Sequence, residues 1–253
     1  MKMKNKEIFK DIYEYILSLF FPNRCIFCGQ LIPPFDEICD NCEKSLPWIK
    51  GEICHFCGSG KEFCSCKKRH GHFYDEIISP LYYVDSVRKC IHDMKFHDER
   101  RNAEVFAKLM NRIRLTEYSD VHFDYIAYIP MLEKQKRKRG YNQGELLAKK
   151  LSEVSSIPVC KDLIVKLYET KTQHRCVHGI ERYGNVLGAY DINPDINING
   201  KTVLLVDDVK TTGATLNECA KMLQVNGANA VYCITASLMN RKYSEKTEKE
   251  GTV

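Results

Sequence analysis

The chain has 253 residues, 44% of them hydrophobic and 28% charged, with a formal net charge of +5. These are the proportions of a globular protein with room for one large domain and a small one, and they exclude wholesale disorder. No apolar stretch approaches the roughly 18–20 residues that cross a bilayer, and no small-residue cleavage site follows the first apolar segment, so a soluble, cytoplasmic chain is expected.

The first expected element is a short amphipathic helix within residues 1–22, where Ile8, Ile12, Tyr15, Ile16 and Leu19 recur at helical spacing. Glu7, Asp11 and Glu14 on the same stretch argue against a membrane-surface helix. Residues 23–72 then hold eight of the thirteen cysteines, arranged as Cys25-x-x-Cys28, Cys39-x-x-Cys42, Cys54-x-x-Cys57 and Cys64-x-Cys66. Two intervening residues let both thiolates point at one ion about 2.3 Å away, and two such pairs complete a tetrahedron. Gly29 and Gly58 follow the second cysteine of their pairs, where the turn needs a positive φ. A disulfide framework is the competing account. Without an export signal the chain stays in a reducing compartment, where this spacing favours metal. Two closed, structural zinc sites are expected, with consecutive pairs (25/28 with 39/42, 54/57 with 64/66) preferred over an interleaved arrangement. His55, His70 and His72 are nearby alternatives that eight cysteines make unnecessary. The other five cysteines (Cys90, Cys160, Cys176, Cys219 and Cys233) read as ordinary thiols.

From residue 75 to about 240 the pattern alternates between strand and helix. Ile77 to Val84 reads as a strand; Val87, Ile91 and Met94, then Val105, Leu109 and Ile113, mark helices. Tyr125 to Ile129 is a strand ending at Pro130, and Leu146, Leu147, Leu151 and Val154 mark another helix. Thr202 to Val206 is a buried strand, Leu216 to Val225 a helix stopped by Asn226-Gly227, and Ala230 to Thr235 a last strand. Residues 241–253 read as a frayed polar tail. Such alternation implies an α/β domain with a mainly parallel sheet, whose ligands sit at the carboxyl ends of the strands.

Two places carry chemistry. Residues 81–160 hold 15 Lys+Arg against 11 Asp+Glu, and Lys134, Lys136, Arg137, Lys138 and Arg139 form one cluster. A basic run beside neutral surroundings suits phosphate or nucleic acid; a solvated loop is the plain alternative. The second place is the run Val203-Leu204-Leu205-Val206-Asp207-Asp208-Val209-Lys210-Thr211-Thr212-Gly213-Ala214-Thr215. Here a buried strand delivers two carboxylates, and a Thr/Gly loop then opens a helix. Loop amides, hydroxyls and the positive helix end suit a phosphate monoester, and the acids suit the vicinal hydroxyls of a ribose. A capped helix after a strand would explain one Asp and one Thr, but not two acids and three threonines.

That run resembles the phosphoribosyl-pyrophosphate (PRPP) motif of type I phosphoribosyltransferases. Its setting resembles the ComF family of ComFC-like competence proteins: a double zinc ribbon, then Met94-Lys95-Phe96, then Lys138-Arg139-Gly140-Tyr141-Asn142-Gln143. Thr170, Gln173, Arg182 and Asn185 follow before Gly188-Ala189-Tyr190, and the PRPP motif comes last. The resemblance covers about residues 20–238 and implies a type I phosphoribosyltransferase-like fold behind the ribbon. It further implies that Asp207 and Asp208 hold ribose hydroxyls, the catalytic positions, and that Thr211, Thr212, Gly213, Ala214 and Thr215 bind the 5′-phosphate. Lys138 and Arg139 would contact pyrophosphate, residues 167–190 would form a hood, and Mg²⁺ would bridge pyrophosphate and ribose. Lys210 departs from a usually aliphatic position, Lys166 from arginine and Asp98 from glycine.

Three functions follow. One is a competence-type protein that takes up single-stranded DNA beside a helicase-like partner, with Lys136, Arg137, Arg139 and Tyr141 gripping the strand while the cavity binds PRPP or a nucleotide. The others are an active phosphoribosyltransferase of nucleotide salvage and a non-catalytic PRPP sensor. All three fail if both acids are tied up in internal ion pairs and the loop is plugged by side chains.

Overall fold

In a computed structural model the described residues are 20, 22–66, 71–96, 100–168 and 186–250. The expected N-terminal helix, His70, Asp98, Cys176 and the hood residues Thr170, Gln173, Arg182 and Asn185 lie outside them, as does the side chain of Lys138.

The chain divides into two compact units, Met1–Leu46 and Pro47–Val253. The cysteine-rich segment is therefore not one module over 23–72: the first quartet belongs to the first unit and the second quartet to the second. Both quartets start from the same turn. In the first, Cys25 N–H donates to Gln30 O and Gly29 N–H to Cys25 O, each at 2.8 Å; in the second, Cys54 N–H donates to Ser59 O at 2.8 Å and Gly58 N–H to Cys54 O at 2.7 Å. Gly29 (φ 75°) and Gly58 (φ 80°) sit in the left-handed region that the spacing anticipated. Helix α1 (Asp40–Ser45) closes the first unit, with Cys39 as its N-cap.

The second unit is built on a parallel sheet in the order β1-β7-β6-β3, formed by β1 (Glu76–Ile78), β3 (Tyr125–Tyr128), β6 (Thr202–Lys210) and β7 (Ala230–Leu238). The strand expected over 77–84 is interrupted at Ser79-Pro80, where proline offers no N–H to the ladder, and resumes as β2 (Leu81–Tyr82), also beside β7. Helices α2 (Asp85–Phe96), α3 (Arg100–Glu117), α4 (Glu133–Arg139), α5 (Gln143–Ser155), α6 (Ala214–Val225) and α7 (Arg241–Glu250) complete the unit, with an antiparallel pair β4 (Ile164–Lys166) and β5 (Tyr190–Ile192). Alternate strand residues face opposite sides. Val203, Leu205, Val231 and Cys233 pack with Leu216, Cys219 and Leu223 of α6, while α3 and α5 cover the other face. Strand β6 continues past Val206 because Val209 and Lys210 still register with Ser237 and Leu238. Asp207 and Asp208 are thus inside a paired strand rather than beyond its end.

The second quartet's segment covers the open side of β1 and β2. Ile77 N–H donates to His55 O at 2.8 Å, Ile49 N–H to Pro80 O at 2.9 Å and Tyr82 N–H to Pro47 O at 2.8 Å. The Tyr82 hydroxyl accepts from Gly60 N–H at 3.1 Å. His55 bridges Glu76 (2.9 Å) and Glu117 (2.8 Å), so it belongs to this seam and not to a metal site.

Residues 241–250 are a helix and not a frayed tail. Asn240 donates to Ser59 Oγ at 2.8 Å and accepts from Tyr243 N–H at 3.1 Å. Tyr243 stacks on Tyr82 with centroids 3.9 Å apart and meets Phe63 edge-on at 5.1 Å. One aromatic residue holds a helix whose remaining positions are polar, which is why composition reads it as tail. Replacing Tyr243 by Ala should lower the unfolding free energy in urea by about 1–2 kcal/mol, and truncation after Asn240 should do the same.

Candidate functional site

Each cysteine quartet fits one tetrahedral ion. Within each, the four sulfurs lie within 4.8 Å of one another, paired consecutively as the spacing suggested. Cys28 Sγ and Cys39 Sγ are 3.6 Å apart, and Cys57 Sγ and Cys64 Sγ 3.8 Å apart. A tetrahedron with metal–sulfur bonds of about 2.3 Å requires about 3.8 Å. Burial and crowded neighbouring thiols hold Cys42 and Cys57 well above the usual thiol range; a bound cation removes that penalty.

The sugar-phosphate expectations converge on a cavity of about 320 Å³ at the carboxyl end of β6. Asp207, Asp208, Thr211, Gly213, Ala214 and Thr215 line it. Thr212 stands behind the wall, its Oγ1 accepting from Ala214 N–H at 3.3 Å. Gly213 is the N-cap of α6 at φ 81°, with no side-chain cap, so the helix's first amides face the loop.

The two acids have different surroundings, as neighbours on a strand must. Asp208 retains 5% of its surface, and its Oδ2 lies 2.6 Å from Lys95 Nζ on α2. Burial alone would depress Lys95; the Asp208 charge outweighs it and holds the ammonium above its usual range. Asp207 accepts the Asp208 N–H at 2.9 Å. Burial, and then the Asp208 charge beside it, push its carboxyl up to about 7. Only one acid is therefore ion-paired, its partner Lys95 is itself a wall of the cavity, and the loop is open to that cavity.

The basic run departs from expectation. It forms helix α4, ended by Gly140 at φ 89°, instead of a loop. Lys136 is bound to Glu145 at 3.1 Å. Arg139 donates to Gln143 at 2.7 Å, and Gln143, not Arg139, lines the cavity. Lys134 and Arg137 are exposed and Tyr141 is half-buried. The wall opposite the loop is made instead by Pro130, Met131, Gln135 and the start of α5, where Asn142 accepts from Gly144 N–H at 2.9 Å. Lys166, also lining the cavity, lies 5.3 Å over the Tyr190 ring. Periodicity gave no sign of Lys95, Gln135 or Tyr190; only the Met94-Lys95-Phe96 and Gly188-Ala189-Tyr190 resemblances pointed there.

Known proteins agree with this organisation. A double zinc ribbon domain model matches residues 16–71, and a phosphoribosyl transferase domain model matches residues 138–252. Competence protein F of Haemophilus influenzae is 28% identical, over 84% of this chain and 95% of its own. Competence protein ComFC of Bacillus subtilis is 26% identical, over 79% of this chain and 83% of its own. DNA utilization protein YhgH of Escherichia coli K12 is 28% identical, over 65% of this chain and 74% of its own. Among solved structures, a glutamine PRPP amidotransferase from B. subtilis with ADP and GMP matches at 18% identity and a TM-score of 0.37; the match spans 58% of this chain and about a third of that longer one.

Two measurements check the site. Metal analysis should return two zinc ions per chain, and one after Cys54→Ser/Cys57→Ser. For Asp207, an acid raised in the folded state keeps a proton that the unfolded chain has lost, so its contribution to stability falls as pH rises from about 4 to 7. The stability of Asp207→Asn relative to wild type should accordingly increase between pH 4.5 and pH 7.5, by about 1 kcal/mol or more in denaturant melts.

Proposed function

The chain belongs to the ComF family of competence proteins, a double zinc ribbon joined to a type I phosphoribosyltransferase-like domain. We propose that it serves DNA uptake as these relatives' names describe, binding PRPP or a related phosphorylated ribose in the β6 cavity and single-stranded DNA along α4. The supporting observation is the convergence of Asp207, Asp208 and the open Thr211–Thr215 loop on one cavity.

In this reading the loop amides and hydroxyls receive the 5′-phosphate, and the acids receive the ribose hydroxyls. Lys95 keeps Asp208 ionised as an acceptor. The start of α5, with Gln143 braced by Arg139, faces the pyrophosphate. The carboxylate oxygens and ligand phosphates are hard donors that suit Mg²⁺; the ion would neutralise charge on the pyrophosphate, and its approach would favour loss of the Asp207 proton. Neither a helicase-like partner nor a base acceptor has a residue assigned to it.

Calorimetric titration with PRPP and Mg²⁺ tests the cavity: Asp207→Asn/Asp208→Asn should bind at least tenfold more weakly, and equal affinity removes the reading. Pyrophosphate release with a panel of bases would identify turnover. For DNA, α4 presents Arg137 openly, while Lys136 and Arg139 already hold protein partners. Replacing all three by Gln should therefore reduce the salt slope of oligonucleotide binding by about one phosphate contact, near 0.7, and not by three.

A further inference from the structure

Lys210 is the least expected residue of the cavity wall. It retains 8% of its surface, so it is more than nine-tenths buried. Among the described residues it has no hydrogen-bond or ion-pair partner, although a buried charge without one is costly. Its side chain leans on the phosphate loop: Cε is 3.2 Å, and Nζ 3.9 Å, from the place a Cβ would occupy on Gly213. Burial depresses the ammonium below its ordinary range, as a cation without a counter-anion requires.

The other cations on the wall are engaged elsewhere. Lys95 is bound to Asp208, and Lys166 lies over Tyr190. The start of α6 supplies the equivalent of about half a positive charge, whereas a phosphate monoester carries close to two negative charges above its second pKa of about 6. Amides and hydroxyls alone therefore balance a singly charged phosphodiester better than a dianion. A lysine beside the loop reverses that preference.

We propose that Lys210 is a specificity-determining contact that makes this loop selective for a terminal phosphomonoester dianion, such as a pentose 5′-phosphate, over a phosphodiester. The inference rests on the sugar-phosphate reading of the cavity and adds to it the residue that sets the charge the site accepts. Internal positions of a polynucleotide are then excluded from the loop, and a strand could enter it only by a 5′-phosphorylated end. A competing role exists within the same unit, because the thiolates of Cys57, Cys66 and Cys54 act on the Lys210 charge: the lysine could serve the metal quartet instead.

The test is calorimetry at pH 7.5 on the full chain with ribose 5-phosphate and its 5-methyl phosphodiester, for wild type, Lys210→Met and Lys210→Gln. The wild type should prefer the monoester. Both variants should bind the monoester at least tenfold more weakly, change little toward the diester, keep two zinc ions and melt no lower than wild type without ligand. Unchanged monoester affinity in the variants overturns the role of Lys210, as does loss of zinc with affinity intact; if Asp207→Asn/Asp208→Asn still weakens PRPP, the cavity reading survives that result. A wild type that binds neither PRPP nor ribose 5-phosphate removes both. Should Lys210→Met fail to fold, Lys210→Gln decides.

Discussion

The arrangement of the cavity depends on placing two adjacent carboxylates inside a paired, largely buried strand. Each ionised acid there needs a counter-charge or a proton, and the fold answers differently for each. On one side of β6 the chain brings Lys95 from α2 to within 2.6 Å of Asp208. On the other side, among α6, β4 and β5, no equally close cation meets Asp207 among the described residues, and its carboxyl holds a proton up to about neutral pH. One acid is a fixed acceptor and its neighbour an adjustable one. That asymmetry follows from strand alternation, not from any difference in residue type.

The cations of the site show the same economy. Glu145 holds Lys136 and Lys149, and Gln143 holds Arg139, so the sequence's most basic segment is largely occupied in fixing the start of α5. The charges that reach the cavity come from scattered positions on α2, β4 and β6. A count of lysines along the chain locates the first set and misses the second.

Much of the fold was legible. Spacing alone gave the cysteine quartets and their consecutive pairing, because sulfur geometry is local. Strand β6 and helix α6 were legible because a run of apolar β-branched residues and a glycine loop leave few alternatives. Other features depend on distant partners. The basic run becomes a helix because Leu132 and Gly140 bound it and Glu145 neutralises it; polarity alone reads it as loop. The terminal helix hangs on Tyr243, whose partners lie more than 150 residues earlier. The boundary between the two units falls within the cysteine-rich segment because the second quartet's backbone hydrogen bonds lead to β1 and β2, and no composition change marks that point.

This last feature has a consequence for how the protein fails. An edge strand with unpaired amides is a template for a second chain, and here β1 and β2 are shielded by a segment whose own order depends on a metal ion. Stripping the ion uncovers a sheet margin as well as loosening a ribbon, so the natural outcome of metal starvation is strand-to-strand clumping of otherwise intact molecules. Cellular zinc supply then limits how much of the protein stays dispersed before it limits how much can act.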